Sequence, residues 1–312
     1  MTRDDQRIFV VLPCYNVAGQ VAAAIAAVPE WVDGIVAVDD ASTDDTACVL
    51  AAIRDPRLVV VRHERNRGVG GAVATGFDCA AEQGADILVK VDGDGQMDLD
   101  YLPPILDALT KDGYDYAKGN RLLDRKALAR MPRVRFVGNL ILTFLTKLVS
   151  GYWHLLDPQN GFVAIRSTTW ALLDRERIFC GYFFENDMLI SLNILGARIK
   201  DVPMPARYGD EPSSLRVRSI IPLFSWLLLN RTVYRFYMKY VLLDFSPSAL
   251  FVLAGLPLFF WGFGFGAYSW WVNSQQGTFA STGTVMLSVL PLLVGFQLLL
   301  QALVLDIQQS PR

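Results

Sequence analysis

The chain has 312 residues, 52% of them hydrophobic, and a formal net charge of -2. That length suits about two domains, and the apolar share is higher than an ordinary soluble enzyme carries. The charge singles out no partner, and no nucleic acid is expected. Only 2 histidines are present, which argues against most zinc sites and against a Ser-His-Asp triad. The 4 cysteines, Cys14, Cys48, Cys79 and Cys180, form no CxxC pattern and are expected as reduced thiols. The polar opening from Met1 to Arg7 is expected to carry no signal peptide.

The first half alternates strand and helix signals. Ile8 to Leu12 reads as a strand and Ala18 to Val28 as an alanine-rich helix. Gly34 to Val38 is a second strand that ends in Asp39-Asp40. Asp44 to Ile53 is a helix with Ser42 or Thr43 placed to cap it. Leu58 to Arg62 is a third strand, and Ala72 to Gln83 a helix after a glycine-rich turn. Ile87 to Val91 is a fourth strand, followed by a helix from Leu102 to Thr110. Short strands separated by helices of this length imply βαβ units and a parallel sheet. Ligands of such sheets bind beyond the carboxyl ends of the strands. Pro13-Cys14-Tyr15-Asn16, Asp39-Asp40 and Asp92-Gly93-Asp94 each follow a strand and should converge on one rim.

Two later segments mix arginine or lysine with apolar residues, Met131 to Tyr152 and Leu215 to Leu243. Such segments suit a membrane interface; buried core helices are the alternative. Pro247 to Trp271 and Thr282 to Leu305 contain no charged residue, and each exceeds the roughly 20 residues a helix needs to cross the hydrocarbon core. Both read as transmembrane helices, with Pro257 and Pro291 tolerated inside them. The segment joining them has no Lys or Arg, so the positive-inside rule puts the N-terminal domain and the tail in the cytoplasm. The expected organisation is a cytoplasmic catalytic domain (1–214), an interfacial segment (215–245) and a two-helix anchor (246–312) in the cytoplasmic membrane. Gly262, Gly264 and Gly266 would allow homo-oligomers.

The string VDGDGQMD, from Val91 to Asp98, crowds acids at the end of an apolar strand. Crowded carboxylates stay ionised when a cation sits between them. Asp92 and Asp94, with Gln96 adding a carbonyl oxygen, favour Mg2+ or Mn2+ over zinc. A DxD alone can equally be a solvated turn; its place after a strand, beside two other polar strand ends, favours metal. A hard cation held by so few protein oxygens keeps positions open for phosphates. The glycines of NRGVGG could bring backbone amides to a phosphate at a helix start, or simply form a turn.

VVLPCYN, VDDASTDDT, NRGVGGAVATG, VDGDGQMD, GNR, DPQNGF and GYFFENDMLI occur in this order. From Ile8 to about Tyr208 the chain resembles the family 2 glycosyltransferases, in the branch of dolichyl-phosphate mannose synthase and bacterial polyprenyl-phosphate glycosyltransferases. The resemblance implies an α/β GT-A fold. It implies that Pro13, Tyr15 and Asp40 hold the base and ribose, with Asn16 and Gly93 in the same nucleotide-sugar site. Asp92, Asp94 and Gln96 would hold the metal on the donor diphosphate. Arg121, Arg135 and Asn139 would bind the acceptor's phosphate. Glu185 and Asp187 would line the sugar pocket, and together with Asp94 they are the candidate catalytic residues. Two departures stand out. Val17 occupies the position where the family usually has Glu. RYGDEPSSLRVR replaces a Gly-x-Ser-Lys segment, leaving Arg207, Arg216 or Arg218 to neutralise the diphosphate, with Ser214 in the lysine's place.

The resemblance implies metal-dependent, inverting transfer of a hexosyl group from a nucleotide-sugar to a polyprenyl monophosphate, dolichyl or undecaprenyl. Such an acceptor is already an anion near neutral pH and needs no strong base. The alternatives are transfer to a lipid-linked sugar hydroxyl, with Asp187 as base, and a non-catalytic scaffold that retains the nucleotide-sugar domain.

Overall fold

Apolar runs with alternating side chains build a sheet that is covered on both faces. In a computed structural model, which describes residues 6–122, 133–158, 160–181, 183–205 and 217–311, the strands are Ile8–Cys14 (β1), Gly34–Asp39 (β2), Leu58–Arg62 (β3), Ile87–Lys90 (β4), Tyr116–Asn120 (β5), Val163–Arg166 (β6) and Ile199–Pro203 (β7). They form one 7-stranded sheet in the order β3-β2-β1-β4-β6-β5-β7. β3, β2, β1 and β4 are parallel, as the sequence predicts. β6 runs antiparallel between β4 and β5, and β7 pairs parallel with β5.

The period of two sorts the core. Val10, Leu12, Ile35, Ala37 and Val89 pack on one face, with Ile25, Leu50 and Leu106 from the helices Val21–Ala26 (α1), Thr46–Ala52 (α2) and Leu102–Thr110 (α4). Phe9, Val11, Val36, Val38 and Leu88 pack on the other. There they meet Phe77, Trp170 and Met188 from the helices Gly68–Glu82 (α3), Ser167–Ala171 (α6) and Phe184–Ile194 (α7). Helix α3 begins at Gly68, before the predicted start at Ala72, because Gly70 and Gly71 join the helix. The cap expected from Ser42 or Thr43 is absent. Asp44 accepts from the Thr46 amide at 3.0 Å instead, while Ser42 Oγ accepts from the Asn16 amide.

The chain divides into two compact units, Met1–Thr232 with Pro311–Arg312, and Val233–Ser310. The division falls inside the segment expected to lie at the membrane interface. In the first unit, Arg133–Ser150 (α5) buries Thr146 and Val149 and exposes Leu140, Ile141 and Phe144. Helix Val217–Phe236 (α8) packs Leu228 against Val149, Phe183 and Ile190 and exposes Leu223, Trp226 and Leu229. Arg231 on α8 grips the buried Asp187 with two bonds, Nε to Oδ1 at 2.8 Å and Nη2 to Oδ2 at 2.9 Å.

The second unit holds Pro247–Gln276 (α9) and Thr282–Gln308 (α10), 30 and 27 residues long and apolar enough to cross a membrane. Gly262 faces into this hairpin: a Cβ there would stand 2.5 Å from the Leu292 backbone nitrogen. It therefore packs within the hairpin, whereas Gly264 has open space around it. Arg235 pairs with Asp306 at 2.8 Å, and Tyr240 Oη donates to the same carboxylate. Replacing one partner leaves a buried charge alone, which costs about 3–5 kcal/mol. Asp306→Ala should lower the denaturation midpoint of the detergent-solubilised protein accordingly. Arg231→Met, which orphans Asp187, should do the same, and thermal unfolding followed by circular dichroism checks both.

Candidate active site

Parallel β1, β2 and β4 deliver their polar ends to one rim, and a cleft of about 740 Å³ opens there. Pro13, Tyr15, Asp40, Asp92 and Gly93 line it, together with Lys90. Tyr15 is 49% exposed at the mouth, an aromatic face open to a planar ligand. Cys14 also lines the cleft, but burial, then Asp39 and Asp92, push its thiol up to about 12. It is not a nucleophile at neutral pH.

Asp40 is buried at the N-terminus of α3, where a negative charge is favoured. Its Oδ1 accepts from the Arg67 amide at 2.8 Å and meets His63 Nδ1 at 2.6 Å; its Oδ2 accepts from the Gly68 amide at 2.8 Å. The Gly70 and Gly71 amides donate to the Cys180 carbonyl, at 2.7 and 3.4 Å. Of the two readings of NRGVGG, the turn fits: these amides are engaged within the protein. Gly68 is required here, since its φ of +80° is left-handed and a Cβ would strike the Cys180 carbonyl oxygen. Asn16, also left-handed with φ 56°, serves as a latch: its side chain accepts from the Thr43 amide and hydroxyl.

A second, smaller pocket of about 170 Å³ lies beyond the acids. Asp92, Asp94 and Glu185 line both pockets, so these carboxylates form the wall between them. Gln96, Arg121 and Asn160 line the smaller pocket. Arg121 reaches it from the end of β5. Asp157 orients its guanidinium through Nε to Oδ2 at 2.9 Å and Nη2 to Oδ1 at 3.2 Å. Burial raises the Asp157 carboxyl, but Arg121 and Lys118 more than offset this and hold it below its usual range. In the wall, Lys90 Nζ lies 2.8 Å from Asp92 and 3.4 Å from Glu185. Burial pulls the Lys90 ammonium down, yet Asp92 and Glu185 carry it above its ordinary value.

Asp187 does not join this group. It lies outside both pocket linings, bonded to Arg231 and accepting from the Phe179 amide at 2.9 Å. Two residues from Glu185 on a helix is about 200°, which turns the two side chains to opposite faces. Arg135 and Asn139 fall on α5, and their side chains, with that of Arg218, lie outside the described residues. So do Arg207, Ser214 and Arg216. Lys90, His63, Asp157 and Asn160 are site residues to which sequence reasoning gave no role. For the last two the signal was DPQNGF; for Lys90 it was a charge inside an apolar strand.

Among the described residues no three acidic, histidine or cysteine side chains form a ready-made metal cage. The oxygen-only set of Asp92, Asp94 and Gln96 fits a hard divalent cation bound jointly with a ligand's oxygens. Asp94 Oδ1 accepts from the Gln96 amide at 3.0 Å, which folds this turn back on itself.

Residues 9–173 match the sequence profile of glycosyl transferase family 2. The chain is 29% identical over 221 residues to a UDP-N-acetylglucosamine–dolichyl-phosphate N-acetylglucosaminyltransferase of Methanococcus voltae, covering 66% of this chain and 88% of that one. It is 30% identical over 205 residues to an undecaprenyl-phosphate mannosyltransferase of Micrococcus luteus, covering 64% and 82%. Among solved structures, glucosyl-3-phosphoglycerate synthase of Mycobacterium tuberculosis, in complex with Mn2+, UDP and glucosyl-3-phosphoglycerate, superposes with a TM-score of 0.53 at 21% identity. That superposition covers 74% of this chain and 80% of the synthase. The mixed sheet is of the GT-A type, as the resemblance implied. The chain is a glycosyltransferase, a member of glycosyl transferase family 2.

Proposed function

We propose that this enzyme transfers a hexosyl group from a nucleotide-sugar to a polyprenyl monophosphate at the cytoplasmic face of a membrane. The observation that carries the reading is the acid wall of Asp92, Asp94 and Glu185 shared by two pockets. The larger pocket, with Tyr15 at its mouth, suits a nucleoside diphosphate sugar. The smaller one, with Arg121 on its rim, suits a phosphate that must approach the sugar from the other side of the wall. Two curated relatives are named for transfer to dolichyl or undecaprenyl phosphate, which supports this acceptor class.

In this reading Tyr15 and Pro13 pack on the base, and Asp40, fixed by His63 and two backbone amides, faces the nucleotide. Asp92, Asp94 and Gln96 would hold Mg2+ or Mn2+ together with oxygens of the diphosphate. When bound, that ion supplies Lewis-acid stabilisation of the leaving group. The mycobacterial synthase was crystallised with Mn2+ and UDP, which supports a divalent ion of this kind. Glu185 faces the sugar. Arg121 meets the acceptor phosphate through charge-assisted hydrogen bonds that offset its repulsion from the acids. The phosphate, with a second pKa of about 6, arrives already ionised. Attack from the far side of the wall inverts the anomeric carbon. The reading with a sugar hydroxyl as acceptor loses support because its base, Asp187, is occupied by Arg231.

Membrane attachment fits α9 and α10, and the exposed apolar faces of α5 and α8 suit lipid at headgroup depth.

Release of nucleoside diphosphate on mixing enzyme, polyprenyl monophosphate and a panel of nucleotide-sugars tests the reading. Chelation with EDTA should stop release, and Mn2+ or Mg2+ should restore it. Asp94→Asn should cut turnover about a hundredfold or more without changing thermal unfolding; wild-type turnover there defeats the proposal. Arg121→Gln should raise the acceptor's KM about tenfold to a hundredfold, the worth of one or two charge-assisted hydrogen bonds. The donor's KM should hold, and steady-state kinetics with each substrate varied in turn separates the two.

A further inference from the structure

Lys90 ends β4 with its ammonium in the wall between the pockets, and its side chain is only 2% exposed. Room for it exists because residue 161 is glycine: a Cβ there would collide with Lys90 Nζ and stand 3.1 Å from Asp92 Oδ2. The sheet fixes this approach, since Lys90 is paired in register with Val163, at the start of antiparallel β6. One ammonium thus bridges Asp92 Oδ1 and Glu185 Oε1. Three acidic residues line both pockets, and like charges gathered at one site repel one another.

We propose that Lys90 is a positioning residue whose ammonium makes cation and nucleotide binding depend on each other. This rests on the donor-site reading above. Lys90 and an incoming divalent cation share Asp92, so the resident charge opposes the ion when it arrives alone. The same charge attracts a diphosphate in the cleft that Lys90 lines. The ion is therefore held weakly until the diphosphate comes with it, and free metal does not by itself fill the site. Lys90 also aims Glu185, keeping that carboxylate as an acceptor of hydrogen bonds toward the larger pocket.

The test uses the full chain in detergent micelles. Mn2+ binding without nucleotide is followed by electron paramagnetic resonance; UDP and GDP binding at saturating Mn2+ is followed by calorimetry. Lys90→Met should bind Mn2+ alone about tenfold more tightly and the preferred diphosphate about tenfold more weakly, as expected for a unit charge a few ångströms away. A purely structural lysine would weaken both, so a folded Lys90→Met with unchanged or weaker Mn2+ binding overturns the proposal. Should that variant not fold, Glu185→Gln carries the test: with an acid gone and Lys90 left to Asp92, Mn2+ alone should bind about tenfold more weakly. Unchanged Mn2+ affinity in Glu185→Gln overturns it equally. Wild-type protein that binds neither Mn2+ nor a diphosphate overturns the donor-site reading and this inference together. Normal wild-type binding with indifferent variants overturns this inference alone.

Discussion

Backbone hydrogen bonds hold Val163–Arg166 antiparallel between two strands that run the other way, and that pairing brings Asn160 and Gly161 to the smaller pocket. Because β6 is reversed, its beginning meets the carboxyl ends of β4 and β5. Asn160 and Gly161 thereby reach the rim where Lys90, Asp92 and Arg121 already stand. A parallel strand in that position would present its far end there instead. The antiparallel insertion is what turns a parallel half-sheet into a site with two pockets and a shared wall.

Electrostatics organises the site as strongly as topology does. The buried acids each have a dedicated partner. Asp40 has His63 and the start of α3, Asp157 has Arg121, and Asp187 has Arg231. Asp92 and Glu185 share Lys90 across the wall. An unpaired buried carboxylate would be costly, so these pairings separate acids that tie helices together from acids that line the pockets. Asp187 belongs to the first kind, with α8 held to α7 through it. The second unit repeats the pattern on a smaller scale, with Arg235, Asp306 and Tyr240 joined among otherwise apolar helices.

Much of the fold was legible in the chain. The strands from Ile8 to Arg62 and the helix Leu102–Thr110 fall where apolar runs and turn residues predict them, because parallel strands covered on both faces read as continuous apolar stretches. The DxD turn and Tyr15 were singled out from their positions after strands, whereas Arg121 came only from the family resemblance carried by GNR. The capping of α2 and the start of α3 were misplaced for local reasons. Asp44 could bond the Thr46 amide directly, and glycines that usually end helices here begin one, packed under the Cys180 carbonyl.

The sequence by itself determined the parallel half-sheet, the acid-rich strand ends, the two long apolar helices and the membership of a glycosyltransferase family. Each is a local property, carried by periodicity, run length or an ordered set of short motifs. Tertiary structure alone decided that β6 is antiparallel, that Arg231 takes Asp187, and that Lys90 sits between two acids. It also engaged the amides of the glycine-rich turn with residues more than a hundred positions away. Those outcomes depend on which distant groups share a buried, low-dielectric space, where one charge in reach changes what a neighbouring carboxylate can do.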